Sequence, residues 1–206
     1  MNTQIVPTNY ACITPSIANV TTYDEIKRIG VLPDTALYLG TVLNDSEPML
    51  YDLSDPLAGS ILIQGKSADF DFSAIVGGRK LHPELDRKFP VEFVFLTRSD
   101  FAGELGWQKV FTLASRLSEQ SLYPKKATVI LIEDFACVQQ QDYLCNHYME
   151  YILENGTRKN WKVIAYSNRT IQESWINEFP IQVREIMKPF YIIPEGNSET
   201  VFFVPR

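Results

Sequence analysis

No stretch of this chain approaches the ~20 consecutive apolar residues that a bilayer-spanning helix needs. Residues 1–9 lack the basic start and apolar centre of a secretory signal. The expectation is a cytoplasmic chain with no membrane contact of its own. Cysteine and histidine are scarce: Cys12, Cys137 and Cys145 neither pair evenly nor stand at metal-ligand spacing from His82 or His147. That excludes a disulfide scaffold and a Cys/His metal centre, so no metal site is expected. Cys137 and Cys145, eight apart, would share one face of a single helix. Positive charge is in deficit, with 19 Lys and Arg against 25 Asp and Glu and a formal net charge of −6. With no basic run, the chain lacks the footprint of a direct nucleic-acid binder. The pairs Lys125-Lys126 and Arg158-Lys159 read as solvated loop charges. Internal repeats and Gly/Ser-rich linkers are missing too, so nothing divides the chain.

What is present suits one packed domain: 206 residues, 45% hydrophobic and 21% charged. Residues 1–35 are polar and carry Pro7, Pro15 and Pro33, which marks an N-terminal extension with one short helix over 23–29 after Thr22. The domain proper spans 36–206. It opens with a hairpin, strands 36–43 and 48–53 around the polar turn Asn44-Asp45-Ser46-Glu47. Strands and helices then alternate. Strands are expected at 60–64, Val91–Leu96, 128–132 and 161–166, and helices at 69–76, 107–118, 143–153 and 171–177, with late strands at 181–186 and 201–204. The helix at 107–118 places Val110, Phe111, Ala114 and Leu117 along one face. Short apolar strands separated by helices predict an α/β fold with a mostly parallel sheet covered on both faces.

Three segments carry candidate chemistry. The strand Ile61-Leu62-Ile63-Gln64 runs into Gly65 and a helix follows, the layout of a phosphate-binding P-loop. Aligned on Gly65, the motif's second Gly falls on Phe70, its Lys on Asp71 and its Ser/Thr on Phe72. Asp69 and Asp71 would sit in the first helical turn, where carboxylates suit the dipole and fill the protein's own anion site. Exchanging Lys for Asp beside a phosphate charge swings the interaction by roughly 8 kcal/mol at ~4 Å and an effective dielectric of ~20. A literal Gly65-Lys66-Ser67 offers another register, but it puts the strand residues Ile61 to Ile63 where the loop should lie. Second, Val129-Ile130-Leu131-Ile132-Glu133-Asp134 has the form of a Walker B strand, whose acids serve Mg²⁺ and water. Its acids stand in reversed order, and the plain alternative is a strand end with Asp134 capping the next segment. Third, Ser167 or Asn168 at the end of Val163-Ile164-Ala165-Tyr166 would sense a γ-phosphate or simply build a strand-to-helix turn.

Taken in order, five segments resemble the motor domain of FtsK/HerA-type ATPases over roughly residues 36–206. Leu39-Gly40, Glu47 to Leu53 and Ile61 to Gly65 are similar to that family's run into its Walker A loop. Ile130 to Ala136 resembles its Walker B strand, and Trp161 to Arg169 the strand ending in Ala-Thr-Gln-Arg-Pro. Ile176 to Val183 resembles the Asn-Phe-Pro-Thr-Arg segment, and Phe202 to Pro205 the closing strand. The resemblance implies a three-layer RecA-like P-loop NTPase fold. It also implies a lost activity, because the sensor Gln falls on Ser167 and the Arg of the Phe-Pro segment on Gln182. In this reading Gly65, Lys66, Ser67 and Asp71 are a vestigial phosphate loop, Glu133 and Asp134 a vestigial Walker B pair, and Ser167 and Asn168 a vestigial sensor. No cofactor is expected, and partners are proteins or further copies of the chain, with DNA reached only indirectly. The type VII secretion branch of the family strings such domains in tandem, and some copies are degenerate. The alternative is a divergent active ATPase that binds ATP and Mg²⁺ through Lys66 and Ser67 or a partner's residues.

Overall fold

Two apolar runs build the centre of the molecule. Ala127–Ile132 and Trp161–Ser167 are buried at every position, the pattern of strands covered on both faces. The computed structural model describes residues 34–42, 48–55, 58–64, 72, 76, 83–103, 106–122, 124–169, 171–172, 175, 179, 181–184, 189–190 and 200–203. The helix expected over 23–29 and most of those over 69–76 and 171–177 lie outside these residues.

In chain order the elements are β1 (Ala36–Val42), β2 (Pro48–Asp52), β3 (Ile61–Gln64), α1 (Pro83–Lys88) and β4 (Val91–Leu96). A 3-10 turn (Arg98–Phe101), α2 (Gly106–Glu119), β5 (Ala127–Ile132), α3 (Phe135–Gln139) and α4 (Tyr143–Gly156) follow. A second 3-10 turn (Thr157–Lys159), β6 (Trp161–Ser167), β7 (Ile181–Arg184), β8 (Pro189–Phe190) and β9 (Thr200–Phe203) complete the list. The central sheet has five strands in the order β4-β5-β6-β3-β7, and every neighbouring pair is parallel. A second sheet, β2-β1-β9-β8, holds the expected hairpin, with β9 parallel to β1. The late strand near 201–204 thus belongs to the second sheet, not the central one.

The chain leaves β3 in one direction across the sheet, toward β4, and returns through β5, β6 and β7 in the other. Right-handed crossovers then send the two sets of connections to opposite faces. The core clusters agree. Ile61, Ile63, Val129, Leu131, Ile164 and Tyr166 pack with Phe72, Val76 and the hairpin residues Leu37 and Tyr51 on one face. Leu62, Ile130, Ile132, Val163 and Ala165 pack with residues of α2, α3 and α4 on the other.

Helix α2 buries Val110, Leu113, Ala114 and Leu117. Phe111, expected in that stripe, is 42% exposed and rests its ring against Tyr148 at 5.0 Å. Positions 110, 113, 114 and 117 centre on one line of a 3.6-residue helix, and 111 falls about 100° from the first of them. Lys159 is not a solvated loop charge: its Nζ donates to the carbonyls of Leu117 (2.7 Å) and Ser118 (3.1 Å) near the end of α2. Lys126 likewise pairs with Glu92 at 2.7 Å, and Arg116 joins it there. Cys137 and Cys145 do not share a helix, since α3 holds the first and α4 the second, and both are free thiols.

Helix α4 starts on Asp142, whose side chain accepts from the Cys145 N–H at 2.9 Å. It ends on Gly156, where a Cβ would stand 2.9 Å from the Trp161 carbonyl oxygen. Gly156→Ala should therefore force α4 and β6 apart and destabilise the fold by about 1–3 kcal/mol. A urea titration reads this directly, and an unchanged midpoint would refute the close approach.

Candidate functional site

In a parallel sheet with helices on both faces, ligands bind beyond the carboxyl ends of the strands. Here that edge gathers the ends of β3, β5 and β6. Gln64 lies opposite Ser167 in the register, and Ile132 lies opposite Ala165. Because β6 intervenes between β3 and β5, Ser167 and Asn168 sit between the start of the expected phosphate loop and the acidic pair. The topology thus brings the expected Walker B and sensor residues to one edge. Gly65, Lys66, Ser67, Asp69 and Asp71 lie outside the described residues. Phe72, in the motif's hydroxyl position, is buried in the core, and its carbonyl accepts the Val76 N–H at 3.1 Å in a helical bond.

Both acids at the end of β5 are engaged. Asp134 is 2% exposed, and its Oδ1 accepts the Ala136 N–H at 3.1 Å, which caps α3. Its Oδ2 stands 3.4 Å from Arg98 Nε. Glu133 is half-buried and its Oε2 accepts the Arg98 N–H at 2.9 Å, tying the end of β5 to the residue just past β4. Cys137 lies against the same pair: burial first, then the charge of Asp134 and a hydrogen bond to it, push its thiol pKa up, while Arg169 and Arg98 pull it down. The thiol is held protonated at neutral pH and is no nucleophile.

At the end of β6, Ser167 is fully buried. Its Oγ accepts the Arg169 N–H at 3.2 Å and lies 3.1 Å from the Arg169 carbonyl, so the serine builds the turn. The Asn168 Oδ1 is buried and has no hydrogen-bond partner, while Arg169 is exposed.

A Mg²⁺–triphosphate needs a hydroxyl after the loop and a carboxylate free to face the metal. Phe72 offers no hydroxyl, and Asp134 spends its two oxygens on α3 and Arg98. Among the described residues no three His, Cys, Asp or Glu side chains gather as a metal site. No described helix is long and apolar enough to cross a membrane.

Sequence reasoning missed Arg98. Its signal was faint: a charged residue two places after an apolar strand, with nothing local to connect it to an acid 36 positions on. The nearby pattern Thr97-Arg98-Ser99-Asp100 was more legible, since Asp100 Oδ2 accepts from Thr97 N (2.7 Å) and Thr97 Oγ1 (2.9 Å), as in a capping box.

No protein-family model matches the sequence, and no curated protein matches it. Solved structures do. The cytoplasmic domain of the Thermomonospora curvata type VII secretion ATPase EccC superposes with a TM-score of 0.54 at 11% identity, over 72% of this chain and 23% of that one. The cytoplasmic domain of EssC superposes with a TM-score of 0.51 at 10% identity, over 83% of this chain and 45% of that one. The chain therefore spans less than half the length of either protein. At such identities the likeness speaks for architecture alone: this chain has the α/β fold of a RecA-like P-loop ATPase domain.

Proposed function

We propose that this chain is a catalytically inactive FtsK/HerA-like domain that works through protein contacts, in a complex with an active secretion or DNA-translocating ATPase. The observation that carries this reading is the commitment of Asp134. A carboxylate that is 2% exposed, caps a helix and pairs with Arg98 is a strut of the strand end. Freeing it to activate water, the role of the second acid of such a pair, would leave α3 uncapped, at about 0.5–2 kcal/mol. The buried Phe72 in the hydroxyl position supports the same reading. The EccC structure of similar fold is named as a type VII secretion ATPase, and a degenerate copy beside active ones suits a domain that positions or docks rather than hydrolyses.

Calorimetry with Mg-ATP tests the proposal. The expected result is no binding up to about 1 mM, a limit equivalent to roughly −4 kcal/mol. Micromolar affinity that Glu133→Gln abolishes would overturn it. So would phosphate release, stimulated by a partner or DNA, that disappears in Lys66→Ala. Direct DNA binding is expected to be absent even at low salt, where phosphate contacts are strongest.

A further inference from the structure

Among the described residues the central sheet ends on one side at β4, and this edge is built unlike the strands beside it. Where β5 and β6 are buried throughout, five of the six residues of β4 are half-buried or exposed, and only Leu96 is buried. Its partnered side can be identified from the backbone. The Ala127 N–H donates to the Pro90 carbonyl and the Glu133 N–H to the Leu96 carbonyl, each at 3.0 Å, so even-numbered positions face β5. In a parallel ladder one residue directs both its N–H and its C=O to the same neighbour, and the next directs both away. Val91, Phe93 and Phe95 therefore point their backbone groups out of the sheet.

Proteins usually blunt such an edge with lysine, proline, a bulge or an inward charge. Strand β4 carries none of the first three, and its register with β5 is unbroken over Val91–Leu96. Its single charge, Glu92, lies on the other face and is held by Arg116 (2.9 Å) and Lys126 (2.7 Å). The outward-bonding residues form an apolar row, Val91, Phe93 and Phe95, with Phe95 42% exposed.

We propose that β4 pairs antiparallel with β4 of a second copy of this chain, joining two five-stranded sheets into one across a two-fold axis. The sequence of the edge selects this occupant because it complements itself. With Phe93 on the axis, Phe93 opposes Phe93 and Val91 opposes Phe95 on one face, aromatic and β-branched pairs that favour sheet pairing. All three outward-bonding residues then fall at hydrogen-bonded positions in both copies. On the opposite face Glu92 meets Val94. Shifting the axis to Glu92 would set like charges directly opposite each other, which is destabilising. Shifting it to Val94 would leave Val91 without a partner inside the strand. The inference rests on backbone geometry and β4 alone, and it stands whether or not the phosphate-loop edge binds nucleotide.

Sedimentation of the full chain up to on the order of 100 µM, with amide exchange followed by NMR, tests it. The expected result is a monomer–dimer equilibrium in which the Val91, Phe93 and Phe95 amides become protected as concentration rises. Phe95→Lys should weaken the dimer by on the order of tenfold or more, since each substitution acts twice across the axis. Phe95→Pro, which removes the outward backbone donor together with the ring and is tolerated on an edge strand, should act likewise. Far-UV circular dichroism checks that both variants keep the fold, and Leu122→Lys, at an exposed site off β4, should dimerise normally. A wild-type chain that stays monomeric with freely exchanging edge amides overturns the proposal. A dimer untouched by both Phe95 substitutions overturns it equally.

Discussion

Asp134→Ala is expected to lower the thermal midpoint by roughly 4–8 °C, about 2 kcal/mol in a chain of this size. The estimate has two parts. Removing an N-cap side chain costs about 0.5–2 kcal/mol, and α3, with five residues, has little else to hold its first turn. The rest comes from the cluster around the carboxylate. Arg98 loses a buried partner and Cys137 loses a hydrogen-bond acceptor. Arg98 is itself 37% exposed and can turn to water, which keeps the total modest. Asp134→Asn keeps the cap and should lose about half as much. Glu133→Gln still accepts the Arg98 N–H through its amide oxygen and should stay within ~0.5 kcal/mol of the parent. This ranking distinguishes a strut from a water-activating acid, which would show large losses of activity and small losses of stability. A thermal midpoint unchanged in Asp134→Ala would sink the strut assignment.

The second large effect concerns pH. Lys162 is fully buried near the start of β6, and its Nζ donates to the Asp55 carbonyl at 3.2 Å and to the Ala58 carbonyl. Burial lowers its pKa to about 8 from 10.5, against the opposing pull of Asp55 and Asp52. Between these values the unfolded chain binds the proton and the folded one does not, so stability rises with pH from about 8 toward 10.5. At about 1.36 kcal/mol per unit the ceiling is near 3 kcal/mol. A neutral amine still has two N–H groups for the two carbonyls, so deprotonation need not break the contact. Tyr51 acts in the opposite sense. Its hydroxyl donates to the Gly59 carbonyl at 2.5 Å, and burial, then Asp55 and Asp52, hold its pKa well above 10.0. Above pH 10 the unfolded tyrosine ionises first, and the gain from Lys162 is progressively offset. Lys162→Met removes the lysine contribution. Its stability relative to the parent should fall by about 2 kcal/mol between pH 7 and pH 9.5, read from urea midpoints at each pH. Parallel profiles for the two proteins would show that Lys162 does not titrate in this window.

Much of the fold was legible because its signals are local. The apolar runs at β5 and β6, the 3.6-residue stripe of α2 and the polar turn of the hairpin each need only a few neighbouring residues to be read. The short helices α1 and α3 and the two-residue strand β8 were not legible, since none is long enough to show a period. The cap at Asp134 was readable from its place at a strand end. What that acid does with its other oxygen was not, because Arg98 reaches it from the turn that follows the neighbouring strand.

The residues alone determined the class of the molecule: alternating strands and helices and two apolar sheet faces. The tertiary structure decided what the polar groups are for. Lys162 reaches a carbonyl 104 residues away, Asp134 is held by an arginine in the turn after β4, and Val91, Phe93 and Phe95 direct their backbone groups outward at the end of the sheet. Local patterns record the environment that each residue needs. Which distant group meets that need depends on strand order, and strand order is set by the burial of both sheet faces at once.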